Sequence, residues 1–110
     1  MLLAALAIVV AGCAFAPTRN LRLEEAMSAF RQIASDSRVE LRAPAELQRA
    51  KEALYDAIAA RNTLADPALV DHLAYLAKQR TAIAYERARQ RSEKIAENHL
   101  SNVRVDIPAH

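Results

Sequence analysis

Tryptophan is absent from this 110-residue chain, glycine and cysteine occur once each, and the remaining aromatic residues are three Tyr and two Phe. A single thiol excludes an intramolecular disulfide framework and any paired-cysteine motif. Neither sign of charge dominates: 15 Lys and Arg stand against 13 Asp and Glu, a formal net charge of +2. That balance, with no aromatic residues interleaved among the basic ones, argues against nucleic-acid binding. Long hydrophobic runs are missing as well. The apolar run at residues 2–11 would reach about 15 Å as a helix, half a bilayer core, and is no transmembrane span.

What is present is alanine. Hydrophobic residues make up 53% of the chain, but 25 residues are Ala, so large apolar side chains are few. Such a supply suits a helical hairpin or a three-helix unit and not an enzyme of ordinary size. No His-Glu-x-x-His, paired Cys or nucleophile–base spacing occurs. The expectation is therefore a protein that is not an enzyme, with no cofactor and no metal.

The short apolar run has the length of a secretory-signal core, although no Lys or Arg precedes Leu2. It leads into Val10, Ala11, Gly12 and Cys13. Small residues at 11 and 12 let the backbone enter a protease site, and a thiol is the most nucleophilic side chain available for lipidation. This stretch resembles the lipobox of bacterial lipoproteins. The resemblance implies cleavage between Gly12 and Cys13 and lipidation of the Cys13 thiol. It also implies outer-membrane sorting, because Ala14 and not Asp follows the cysteine. Two or three acyl chains make such an anchor effectively stable. Residues 1–12 then read as a signal peptide and 13–20 as a lipidated tether, which Pro17 keeps from continuing as helix.

The rest reads as all-α, with three helices. Leu23, Ala26, Met27, Phe30, Ile33 and Ala34 recur at three- and four-residue steps over 21–35, with Asn20 as N-cap. Asp36 to Arg38 break the pattern, and Val39–Arg42 reads as a crossing loop. Pro44 at a first turn opens a second helix, faced by Leu47, Ala50, Leu54, Ala57 and Ile58 and ending near Leu64. Asp66–Pro67 opens a third, from Ala68 to about Asn98, with Leu69, Leu73, Leu76, Ala77, Ile83, Ala84 and Ala88 as its stripe, joined by Val70 and Ile95. Its second half, from Glu86, carries so few apolar residues that it should project into solvent or meet a partner. The Ala-rich faces favour a slim hairpin with a long projecting C-terminal helix. Residues 100–110, with alternating Val103–Ile107 and then Pro108, read as an irregular tail.

Two blocks carry a family resemblance: Arg42-Ala-Pro-Ala-Glu-Leu-Gln-Arg-Ala-Lys-Glu-Ala-Leu54 and Asp71-His-Leu-Ala-Tyr-Leu-Ala-Lys-Gln-Arg-Thr-Ala-Ile-Ala84. Together they resemble the helical domain of unknown function numbered 4398, found in proteobacterial lipoproteins and often ahead of an OmpA-like peptidoglycan-binding domain. The likeness covers roughly residues 20–99, and 21–99 read as the domain. It implies a helical coil in the cell envelope and brings no catalytic residues. The sequence to His110 has no room for the OmpA-like domain, which implies a free helical lipoprotein or a truncated relative.

Within the helices a few residues stand out as candidate contacts. His72 and Tyr75 lie within one turn, near a helix N-terminus. They mark the place for a small ligand, a metal or a cell-wall fragment, the alternative to a purely structural or binding role. A metal would need further converging ligands, and His99 stands about 40 Å along the same helix. Arg80, Arg87 and Arg91, in the most basic stretch, are candidate contacts for a partner protein or anionic headgroups. Tyr55, Tyr75 and Tyr85 are expected between helices. The function expected overall is a periplasm-facing, lipid-anchored helical module at the outer membrane. It would bind another envelope protein or self-associate, and would have no nucleic-acid partner.

Overall fold

The computed structural model describes residues 19–106, with side chains through Val103. The lipobox residues Val10, Ala11, Gly12 and Cys13 and residues 107–110 lie outside the described part. The described residues are all helix and connecting turn. Four helices are present instead of three: α1 (Leu21–Ala34), α2 (Ser37–Arg42), α3 (Pro44–Asn62) and α4 (Pro67–Asp106).

The additional helix is α2, where the sequence pattern reads as a loop. Asp36 does not merely break α1. Its carboxylate accepts a hydrogen bond from the Arg38 backbone N–H and so caps a new helix. Arg38 then folds back onto the same carboxylate at 3.1 Å. One turn and a half of helix shows no periodicity, but Val39 is buried, 1% exposed, and fixes its orientation.

At the start of α1, Asn20 is the expected cap. Its Oδ1 accepts from the Leu23 N–H at 2.9 Å, while its Nδ2 donates to Asp71 on α4 at the same distance. Moving along α1, Glu25 faces Lys78 at 3.6 Å, and Val39 shares a buried cluster with Ala84 and Ala88. Ascending residues meet ascending residues, so α1 and α2 form one broken arm running parallel to α4. Glu46 of α3 meets Arg91, whereas Ala60 near the end of α3 packs in the cluster containing Val70, so α3 runs antiparallel to both.

The turn from α3 to α4 does without glycine. Leu64 adopts φ 56°, its side chain 84% exposed, while Ala65 N–H reaches back to the Ala60 carbonyl at 3.0 Å. This satisfies carbonyls that the helix end would otherwise leave unpaired.

Two apolar clusters lie along the bundle. Leu23, Ala26, Leu54, Ala57, Val70, Ala74 and Ala77 form the larger, with Met27, Phe30 and Ile58 packed on it. Val39, Ala43, Ala84 and Ala88 form the smaller, flanked by Ile33 and Leu47. The inward faces of α1 and α3 are those the sequence pattern selects. On α4 the packed line is rotated: Val70, Ala74, Ala77, Thr81, Ala84 and Ala88 are buried, while Leu69 and Ile83 stand outside. Thr81 is admitted to this line because its hydroxyl donates to the Ala77 carbonyl at 2.8 Å. The three tyrosines expected between helices are exposed instead, since the Ala-lined seams leave no width for a ring.

Candidate functional site

The smaller cluster ends in a charged clasp. Arg91 donates to both Glu46 carboxylate oxygens, at 2.8 and 3.1 Å, and to the Arg42 carbonyl at 2.7 Å. That carbonyl belongs to the last residue of α2, where a helix leaves acceptors without partners. One guanidinium therefore joins α2, α3 and α4, and its fork matches the carboxylate. The Glu46 side chain is only 15% exposed. Hydrogen bonding from Arg91 holds its carboxyl below the ordinary 4.5, against a smaller opposing effect of burial.

A group whose folded pKa is lowered contributes stability that is complete above its unfolded value and is lost as pH falls through the folded one. The clasp should therefore weaken in acid, starting below pH 4.5. Thermal unfolding followed from pH 7 to pH 3 is expected to show the wild type losing stability more steeply than Glu46→Gln. The two curves should converge at the acid end. Parallel curves would show that the pair contributes nothing to folding.

Above the clasp, α4 has no neighbour among the described residues. Every side chain from Glu93 to Val103 is exposed. Projection thus begins at Glu93 and not at Glu86, because Ala88 is still packed beneath α2. The helix also continues through Asp106, past the Asn98 at which the sequence pattern fades, so residues 100–106 are helical and not irregular. The free part is about 20 Å long. Where it leaves the bundle, Glu93 pairs with Arg89 of the same helix at 2.5 Å, and Arg89 also holds Glu86 at 2.5 Å.

The projecting part is not uniformly polar. Ile95 follows Ala88 by two helical turns and so extends the packed line of α4 into solvent. His99 and Val103 follow at four-residue steps, with Leu100 beside them. Ile95, Leu100 and Val103 are 43%, 57% and 44% exposed.

The residues selected from sequence are scattered. His72 and Tyr75 are both exposed on α4 near its start. Arg80 is exposed and lines a shallow cleft of about 200 Å³ with Arg49, Glu52 and Asp56. Arg87 is exposed, and Arg91 is engaged within the chain by the clasp. These five do not converge on one site. Among the described residues no group of three or more His, Cys, Asp or Glu side chains is placed to hold a metal ion. None of the described helices is long and apolar enough to cross a membrane.

Sequence reasoning missed the Glu46–Arg91 clasp. Each residue on its own is an ordinary surface charge, and only the register of the hairpin brings them together. The Ala-Pro-x-Glu start of α3 was visible, and it places Glu46 in the first turn. In comparison with known proteins, a family model described as Domain of unknown function (DUF4398) matches residues 21–100. No curated protein and no solved structure matches the chain.

Proposed function

The chain belongs to the DUF4398 family, and we propose that this member is a lipid-anchored, non-catalytic helical module. It faces the periplasm from the outer membrane and presents the free part of α4 to another envelope protein or to a second copy of itself. The observation that carries this reading is the unpaired continuation of the α4 packing line through Ile95, His99 and Val103. An apolar line maintained beyond the bundle that uses it gains nothing in solvent and gains area against a partner.

The direction of the bundle supports the anchor. α1 runs parallel to α4, so the free end of α4 lies at the end of the bundle opposite the start of α1. A lipid on Cys13 would leave that tip directed away from the bilayer. The second reading, a ligand, metal or cell-wall-fragment site near His72 and Tyr75, requires a concave surface around two side chains that are both exposed.

Two measurements test the proposal. Labelled palmitate should enter the wild-type protein and not Cys13→Ser; label in neither would remove the anchor. A photocrosslinking residue at Leu100, in intact envelopes, should give a discrete larger adduct, whereas the same group at exposed Leu41 should not. Monomer alone at Leu100 would remove the partner role.

A further inference from the structure

At the end of the bundle opposite the free tip, a cavity of about 410 Å³ opens between the first residues of α1, the last turn of α3 and the start of α4. Three guanidiniums line it, and they come from three separate places: Arg19 before α1, Arg22 within it, and Arg61 at the close of α3. The wall between them is largely apolar, from Leu21, Ala65, Pro67 and Val70, and the polar remainder is Asn20 and Asp71.

The internal partners of these groups are unequal. Arg19 lies against Glu24 at 2.5 Å. Arg22 stands 3.8 Å from Asp71, beyond hydrogen-bond distance, and that carboxylate already accepts from Asn20. Arg61 has no carboxylate within ion-pair distance among the described residues; its Nη2 makes one long bond, 3.4 Å, to Asn62. Its Nε is buried without any hydrogen-bond partner among them. That Nε is closed to solvent, so a ligand in the cavity would be met by the Arg61 Nη donors, which have no carboxylate partner among the described residues. The parallel course of α1 and α4 brings two helix N-termini to this end against the single C-terminus of α3, which adds a further bias toward negative charge.

We infer that this cavity binds a phosphate-type oxyanion, with Arg61 as its central donor and Arg22 and Arg19 closing around it. Guanidinium groups suit such a ligand through paired N–H donors. Asp71 opposes it and sets the affinity. The setting suits the phosphate of an anionic phospholipid. This assignment of source rests on the anchored reading above: five residues lie between Cys13 and Arg19, so the extended chain spans at most about 20 Å, which would keep the cavity near the headgroups.

The test follows the Arg side-chain Nε–H resonances of the full chain as isolated from cells. Inorganic phosphate is titrated in detergent, and the chain is then compared in phosphatidylcholine discs with and without phosphatidylglycerol. The Arg61 resonance should shift saturably with phosphate. Arg61→Gln should weaken binding about tenfold or more, the loss expected for a charged hydrogen bond. Arg89→Gln, remote from the cavity, should leave it unchanged, and Asp71→Asn should strengthen it.

A shift that also appears on adding phosphatidylglycerol identifies the lipid as the source. A shift with phosphate alone overturns the lipid assignment and leaves a free oxyanion as the ligand. No saturable shift at Arg61, or equal weakening by Arg61→Gln and Arg89→Gln, overturns the site. Because the phosphate arm needs no acyl chain, its outcome is independent of whether Cys13 carries lipid.

Discussion

Replacing Leu23 with Ala is expected to destabilise the chain by about 3 kcal/mol, within the range for truncating a buried leucine. Leu23 is fully buried, and it is one of very few large side chains in that position. Four of the six other members of the larger cluster are Ala (Ala26, Ala57, Ala74 and Ala77), side chains too short to swing into the space left behind. The melting temperature followed by circular dichroism should fall by roughly 12 to 24 °C for a domain of this size. Leu41→Ala is the matched control: Leu41 is 71% exposed, and its loss should lie within about 0.5 kcal/mol of neutral. Equal effects from the two leucines would show that α1 is not seated as described.

The opposite change should be damaging at the other cluster. Ala84 is fully buried and packs with Val39, Ala43 and Ala88. Introducing Leu there adds three carbons at a position with no exposed surface, at a cost of about 1 to 3 kcal/mol. The position of the loss is as informative as its size. α2 is short and held chiefly by Val39, so Ala84→Leu should release α2 before it disturbs the larger cluster. Amide exchange should then accelerate across Ser37–Arg42 while Leu54 and Ala57 stay protected. Unchanged exchange in α2 would show that Val39 does not rest on this face of α4.

These two sites also mark how far the fold could be read from the sequence. The inward faces of α1 and α3 follow from apolar spacing, and Asn20 caps α1 as its side-chain chemistry suggests. α2 escaped because Asp36 carries two meanings: it ends one periodic pattern and caps the next helix, and six residues are too few to show a period. The end of α4 escaped for another reason. Val103, Val105 and Ile107 alternate with polar residues and suggest strand, but a helix already about thirty residues long at Asn98 extends at little cost until a breaker intervenes, and Pro108 is the next one. Thr81 entered the packed line because its hydroxyl finds an acceptor one turn back, which a hydropathy pattern does not weigh.

For the candidate sites the limit was register. Arg91 was selected as an outward contact and is bound to Glu46 and the Arg42 carbonyl. The arginine-lined cavity draws on Arg19, Arg22 and Arg61, and no local motif joins them. The exposed apolar positions on α4 were partly legible, since Ile95 was already part of its apolar pattern.

Methyl-lined seams have one further mechanical consequence. Along α4 the inward positions Ala74, Ala77, Ala84 and Ala88 are nearly interchangeable, and Ala50 and Ala57 on α3 repeat the same small shape. If one rod slides lengthwise by two turns, much the same surfaces meet again, so apolar matching alone gives little resistance to gliding. What stops it is a pin at each end: Asn20 to Asp71 at one, Arg91 to Glu46 and the Arg42 carbonyl at the other. Polar ties that contribute modestly to stability can thereby select a single alignment among several of similar energy.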